Sequence, residues 1–328
     1  MENRWLLTWL LAPLFSPAAM AVEACSLSWY RLEADTRPGS RDRNDPIANS
    51  VPVETVRLKE PGGRPMQIVV SVIALTLFAA GPAAAQDESK TLVAVFAHAD
   101  DEGAAAPILA RYAREGVRVY LVIATDGAQG RAHTSIPRGP ELARVRSEEA
   151  RCAADALGIH APILLGFPDA RLGNYMEDPA RLFQLTARVQ EELQRLRPDA
   201  VITWGPDGAT GHPDHRLVSS VVTQLVRAGA PGAPERLFYV SLPVEGFRLM
   251  NPARREPAFL IPLAKYFSAR VSFSIADFEA SRRSLACHKT QYSDEIVQRV
   301  SEATRSVLKG ELPLAPLFPM AAATDLFP

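Results

Sequence analysis

The stretch TLVAVFAHADDEG, residues 91–103, joins an apolar run to a histidine and three consecutive acids. Residues 91–97 are short, apolar and rich in β-formers, which is typical of a buried strand. A buried strand does not ordinarily end on so many ionisable groups. The turn after this strand is therefore the first candidate for a functional site.

Strand-like and helix-like segments alternate along the chain on the C-terminal side of this stretch. Further strands are predicted at 117–124, 162–167, 199–205 and 235–242, and helices at 103–116, 140–158, 178–197, 214–229 and 275–293. This alternation is typical of βαβ units, and it predicts an α/β domain with a mostly parallel sheet.

The turns that follow the strands are expected to meet at one edge of that sheet. Right-handed crossovers place all strand-to-helix turns on the same side, where open α/β sheets bind their ligands. The segments HADDE (98–102), TDGAQG (125–130) and GPDGATGHPDH (205–215) should therefore face one crevice.

Two of these turns carry a combination of residues that suits a metal ion. The first offers His98 and Asp101, and the second offers His215. Two imidazoles and a carboxylate, with one position left open, are a common catalytic zinc set. Asp100 then remains free to take a proton from water, and His212 could stabilise an oxyanion or protonate a leaving amine.

A simpler interpretation competes with the metal site. Acids at the start of a helix satisfy exposed N–H groups and suit the helix dipole, and this capping role explains Glu102 well. Capping does not explain why three of the six histidines lie at these two turns. The two motifs together favour the metal site.

These residues resemble the LmbE-like, or PIG-L-like, de-N-acetylase family. The family carries AHPDDE after its first strand, here AHADDE with Ala99 replacing proline, and GHPDH after its fourth, here intact. The segments ATDGAQG (124–130), RSEEARCAADALG (146–158), LLGFPD (164–169) and ACHKTQY (286–292) also look like family elements. The resemblance spans roughly residues 90–293.

The resemblance implies a fold and a reaction. The fold would be a Rossmann-like three-layer sandwich, and the reaction a Zn²⁺-dependent removal of acetyl from an N-acetylated amino sugar, with Fe²⁺ as another candidate metal. The residues that match the family's site are His98, Asp101 and His215 as metal ligands, Asp100 as base, His212 as stabiliser of the intermediate, Asp214 as an acid that orients a histidine, and Arg146 as a residue lining the site.

One further residue departs from the family pattern, and one alternative function remains open. Thr210 stands where some family members place a tyrosine that holds the oxyanion. A sugar- or metal-binding protein of the same fold without turnover is the alternative function, although the presence of Asp100 argues against it. A small-molecule or glycoconjugate substrate is expected, with specificity residing in 130–140 and in 243–275, an irregular insertion.

Composition and motifs exclude other classes. The formal net charge is −1 with 22% charged residues, and no Lys/Arg run suggests a nucleic-acid partner. No Gly-x-Gly-x-x-Gly follows the first strand, which argues against dinucleotide binding. A phosphorylation receiver domain would pair acids similarly but would not need GHPDH.

The N-terminal region predicts export. Residues 5–21 and 66–86 are each an apolar run that ends in a small-x-small pattern, as in secretory signals. We interpret 66–85 as the signal peptide, with a membrane anchor as the alternative, and 1–65 as a leader extension upstream of the true start near Met66. The mature, exported protein is expected to begin near Gln86, without a stable membrane contact.

The remaining chain divides into a deacetylase-like domain at 90–310 and a proline-rich tail at 311–328, expected to be extended or loose. Cys152 and Cys287 are the cysteines of the folded part. Sequence alone leaves their pairing open, and two buried free thiols are the favoured interpretation.

Overall fold

A computed structural model describes residues 89–174, 176–241 and 263–327. The strands are β1 Thr91–Phe96, β2 Arg118–Thr125, β3 Ile163–Phe167, β4 Ala200–Trp204, β5 Leu237–Val240, β6 Ala269–Ser272 and β7 Glu311–Pro316. The helices are α1 Ala106–Arg114, α2 Pro140–Leu157, α3 Pro179–Leu196, α4 Pro213–Arg227, α5 Ile275–Cys287 and α6 Asp294–Leu308. The predicted leader and signal peptide lie outside these residues, and so does the part 243–262 of the predicted insertion at 243–275.

The strands form a seven-stranded mixed sheet in the order β3-β2-β1-β4-β5-β7-β6. Strands β1 to β5 are parallel to one another, whereas β7 is antiparallel to both β5 and β6. The predicted mostly parallel sheet is therefore confirmed. β1 lies at its centre, between β2 and β4.

Both faces of the sheet are covered by helices. Alternate residues of β1 point to opposite faces, so Leu92 and Phe96 join one apolar cluster while Val93 and Val95 join the other. Residues of α1, α2 and α5 pack in the first cluster, and residues of α3 and α4 pack in the second. The three-layer α/β sandwich is thus the observed architecture.

Several C-terminal elements differ from the sequence predictions. The helix predicted at 275–293 ends at Cys287, and α6 then begins after the Ser293 cap. β6, β7 and α6 were not predicted. The tail segment expected to be extended or loose is extended, but Leu312 and Leu314 are buried as β7 between β5 and β6. Its two prolines obscured the strand pattern.

The described residues contain no helix with both the length and the hydropathy needed to cross a bilayer.

Cys152 and Cys287 form a disulfide that ties α2 to the end of α5. Their Cα atoms are 5.8 Å apart, within the usual range for a bonded pair. The favoured expectation of two free thiols was therefore wrong. Sequence could not place the two residues side by side, because they are 135 positions apart.

Cys152→Ser is expected to lower the free energy of unfolding by about 2–5 kcal/mol, since the crosslink restricts a long loop in the unfolded chain. Urea denaturation with and without a reductant checks this. The variant should resemble the reduced wild type, and Cys152→Ser/Cys287→Ser should cost no more than the single change. Equal stability of variant and oxidised wild type would contradict the bond's role.

Candidate metal centre

The two histidine-containing turns meet at the carboxyl edge of the sheet. One turn follows β1 and the other follows β4, and these two strands are adjacent and parallel. The structure therefore brings together the side chains of all three predicted ligands, His98, Asp101 and His215, and buries each of them.

The two histidines predicted as ligands face each other. The Nδ1 atom of His98 lies 3.0 Å from Nε2 of His215. The other nitrogen of His215, Nδ1, lies 2.9 Å from the carbonyl oxygen of Gly208. A carbonyl only accepts, so Nδ1 of His215 carries the proton and its Nε2 lone pair points at His98.

In His98 the two ring nitrogens have exchanged places, so that Nδ1 faces His215 and Nε2 faces two carboxylates. Its Nε2 lies 3.2 Å from Asp169 Oδ1 and 3.5 Å from Asp214 Oδ2. Neither contact has the angles of a hydrogen bond. Carboxylates accept, so the proton of the neutral ring belongs on Nε2 and the Nδ1 lone pair faces His215. Two lone pairs at 3.0 Å repel unless a proton or a metal ion lies between them.

The surroundings favour positive charge at this point. Burial alone would lower the pKa of His98, but the carboxylates of Asp101, Asp169 and Asp214 raise it to about 12. Burial also opposes protonation of His215, whose pKa is nevertheless raised by Asp101. A cluster of buried carboxylates and imidazoles that holds a proton so tightly is a cluster that suits a cation.

Asp101 is held so that one oxygen remains available. Its Oδ2 accepts hydrogen bonds from the backbone N–H groups of Ala97 and His98, at 3.0 and 2.8 Å, and from Trp204 Nε1 at 3.2 Å. Its Oδ1 lies 3.2 Å from Nε2 of His215. Burial would raise the pKa of Asp101, but His215 and His98 hold it well below its usual range.

The donor set therefore fits a metal ion. Two imidazole nitrogens and a carboxylate oxygen suit zinc, and imidazole also suits iron. His98 belongs to two groups whose potential ligand atoms lie within 4.8 Å of one another, one with His212 and His215 and the other with Asp169 and Asp214. Nε2 of His98 and Oδ2 of Asp214 are buried without a hydrogen-bond partner.

Asp100 lies beside this cluster in a strained conformation. Its φ is 100°, in the left-handed region that residues other than glycine rarely adopt. Its Oδ1 accepts from Arg146 Nη2 at 3.1 Å, and its Oδ2 accepts from the Tyr292 hydroxyl at 3.0 Å. Burial raises the pKa of the Asp100 carboxyl, and Arg146 offsets part of that rise.

Arg146 is almost completely buried in α2, and it reaches the turns after β1 and β2. Besides Asp100, it donates to the carbonyl oxygens of Ala99 and Gly127. Its Nη1 also lies 3.7 Å from Asp169 Oδ2. The side chain predicted only to line the site thus orients a carboxylate within it.

His212 occupies the cavity wall next to the two ligand histidines, with ring centroids 4.8 Å from His98 and 4.9 Å from His215. Its Nδ1 accepts from the backbone N–H of Asp214 at 3.1 Å. Burial lowers the pKa of His212, so the ring is neutral near pH 7 and carries its proton on Nε2. Nε2 is therefore a hydrogen-bond donor.

Residues just after α5 complete the site. Thr290 donates twice to Glu149, Gln291 donates to the Gly130 carbonyl, and Tyr292 reaches Asp100.

His288 Nε2 lies 2.7 Å from Glu102 Oε1 in a fully buried pair. Glu102 accepts from the backbone N–H of Asp100, as a capping residue does, and its pairing with His288 shows that it does more than cap a helix.

The sequence analysis missed three polar contacts of the site. Asp169 follows β3, so the rule that strand ends share one edge could have found it. Trp204, the last residue of β4, donates to Asp101. Tyr292 ends the segment 286–292 that resembles a family element, but its position gave no role, because it reaches Asp100 only through the folding of the chain.

The site opens into a cavity of about 500 Å³. That volume is within the range of pockets that hold small-molecule ligands. Asp100, Asp101, His98, His212 and His215 all line it.

An open α/β sheet whose carboxyl edge holds two histidines and an acid, beside a separate and partly buried carboxylate, is typical of metal-assisted hydrolases. Residues 93–226 match the model of the family PIG-L, described as GlcNAc-PI de-N-acetylase. This segment, which holds both histidine turns, is therefore similar to the PIG-L family. The description of that family is that of a hydrolase of carbon–nitrogen bonds other than peptide bonds.

Curated relatives are similar over the same region. A 1D-myo-inositol 2-acetamido-2-deoxy-alpha-D-glucopyranoside deacetylase of Corynebacterium urealyticum is 27% identical, over 60% of this chain and 69% of that protein. The enzyme of the same name in Rhodococcus erythropolis is 32% identical, over 44% of this chain and 55% of that protein. The chain thus spans roughly half to two thirds of these relatives.

A solved structure shares the fold. The N,N'-diacetylchitobiose deacetylase of Pyrococcus horikoshii superimposes with a TM-score of 0.51 and 17% identity, over 70% of this chain and 84% of that one. At that identity the similarity supports the α/β fold.

Proposed function

We propose that the protein is a Zn²⁺-dependent hydrolase that removes the acetyl group from an N-acetylated amino sugar. The observation that carries the proposal is the position of Asp100, held by Arg146 and Tyr292 next to the cluster of His98, Asp101 and His215. Pure metal binding does not need a separately oriented carboxylate. The names of the relatives, which are sugar deacetylases, support the same chemistry.

His98 through Nδ1, His215 through Nε2 and Asp101 through Oδ1 would hold the metal. When bound, zinc would polarise the amide carbonyl and lower the pKa of a water molecule. Fe²⁺ could be held by the same ligands. Asp214 and Asp169 flank the far nitrogen of His98, and so keep its Nδ1 directed into the site.

Asp100 acts as the general base. It accepts a proton from the attacking water, and that proton can pass to the amide nitrogen as the carbon–nitrogen bond breaks. The products are acetate and the free amine. Arg146 and Tyr292 each contact one oxygen of the carboxylate, which fixes its direction. His212 donates its Nε2–H to the oxyanion that forms in the transition state.

A binding protein of the same fold, without turnover, is the alternative. The test is a screen of the protein, reconstituted with Zn²⁺ or Fe²⁺ or kept metal-free, against N-acetylglucosamine, its oligomers, and N-acetylated glycolipids and conjugates. Release of both acetate and free amine, dependent on metal, is the expected result. Saturable sugar binding with no acetate released would establish the alternative.

The protein is proposed to be exported. The disulfide between Cys152 and Cys287 supports this, because such bonds persist in oxidising compartments. We expect N-terminal sequencing of the exported protein to begin near Gln86, after the Ala83-Ala84-Ala85 triplet. A first residue at Val22 would instead show that the upstream leader is genuine.

A further inference from the structure

The cavity next to the metal centre has two chemically different ends. On one side of the centre its lining is polar, with Gln129, Arg146, Asp169 and Gln291. On the other side most of the lining is hydrocarbon, and the polar exceptions are Ser241, Ser281, Arg282, Ser301 and Thr304. We call this side the apolar arm, and its lining includes Val240, Phe278, Leu285, Val300, Val307 and Leu312.

The strand order explains this division. In the sequence β3-β2-β1-β4-β5-β7, the two metal-site turns follow the central strands β1 and β4. Of the polar lining, Gln129 follows β2 and Asp169 follows β3 on one flank, whereas Val240 and Leu312 belong to β5 and β7 on the other flank. The metal centre therefore lies between a polar end and an apolar end of the same cavity.

Helix α6 supplies much of the apolar arm, and the apolar side chains that it places there are not buried in the core of the domain. Within α6 only Val297 and Ser301 are buried, while Val300 and Val307 are half-buried and line the cavity. These two valines are seven residues apart, so they share one helix face. The Ser301 hydroxyl donates to the Val297 carbonyl at 2.7 Å, and so offers no free donor to the arm.

We propose that the apolar arm binds the acyl chain of the substrate, and that the enzyme hydrolyses N-acyl amino sugars whose acyl group is longer than acetyl. The inference rests on the proposed amide hydrolysis. The amine side of such a substrate is a sugar, whose hydroxyl groups need the polar end. The acyl side beyond the carbonyl is hydrocarbon, which matches the arm on the opposite side of the metal centre.

The reaction itself is unchanged by the longer chain. Water adds to the amide carbonyl, the carbon–nitrogen bond breaks, and a carboxylate and an amine are released. An acetyl group would leave the apolar arm of this cavity of about 500 Å³ unfilled. Each methylene buried in the arm increases binding by roughly a factor of four.

The experiment compares N-hexanoylglucosamine with N-acetylglucosamine on the full, metal-loaded protein. The kcat/KM for the hexanoyl amide should exceed that for the acetyl amide by at least about tenfold. Val300→Trp, which fills the arm, should reduce this hexanoyl-to-acetyl ratio at least about fivefold. Gln298→Trp places the same bulk on the exposed face of α6, so the ratio should stay at the wild-type value.

Calorimetric titration of both amides separates the two proposals. Tighter binding of the hexanoyl amide, weakened selectively by Val300→Trp, supports the arm even if neither amide is hydrolysed, a result that would refute only the proposed function. Hydrolysis of the acetyl amide with no gain from the longer chain would overturn the inference alone. That result is expected if the chain itself or a second copy covers the arm.

Discussion

Asp100→Asn is expected to reduce the deacetylation rate by roughly 10²- to 10⁴-fold while the fold and the bound metal persist. This corresponds to about 3–5 kcal/mol of barrier. The amide has nearly the same size as the carboxylate, and its oxygen can still accept from Arg146. Its NH₂ group can donate to the Tyr292 oxygen, so packing survives. It cannot take a proton from water at neutral pH.

Metal content, melting temperature and rate should be measured on one preparation of the Asp100→Asn protein. Tyr292→Phe is the matched control, because it removes one hydrogen bond to Asp100 but leaves the carboxylate. A hydrogen bond to a charged group is worth about 1.5–3 kcal/mol, so the control should lose roughly 10- to 150-fold in rate, less than Asp100→Asn at the upper end of its range. Normal metal content together with an undiminished rate in Asp100→Asn would remove Asp100 from the mechanism.

His215→Ala is expected to lose most of the metal and, with it, the activity. Nε2 of His215 faces both His98 Nδ1 and Asp101 Oδ1, so the change removes one of three converging donors. Changes to residues that merely support a ligand cost about 10- to 100-fold in metal affinity or activity. Removal of a ligand should therefore cost more than about 100-fold in affinity, measured by competition with a chelator.

His212→Ala tests whether a histidine that is not assigned as a ligand is needed for metal binding. His212 is grouped with His98 and His215 by distance, but its Nδ1 is occupied by the backbone N–H of Asp214. We expect His212→Ala to keep its metal and to lose rate, because its role is to donate to the oxyanion. Loss of metal in His212→Ala, with full occupancy in His215→Ala, would mean that the two histidines have exchanged roles.

The local sequence pattern was sufficient to predict the strands and helices in the first two thirds of the domain. β1 and β4 are apolar runs with all residues buried, and α2 and α3 have Pro at their first position, which marks their start. The C-terminal third was harder to predict. β7 contains two prolines, and it joins the sheet because Leu312 and Leu314 fill space beside β5, which no local signal shows.

The sequence by itself determined the α/β class and the two turns that hold the histidines and acids. Both follow from short-range rules, since strands and helices alternate and strand ends share one edge. Only the tertiary structure decided the partners of those residues. Tyr292 meets Asp100 across 192 positions, and Cys152 meets Cys287 across 135. Such contacts depend on how helices pack on the sheet, and packing of apolar surface is not directional enough to be deduced from spacing.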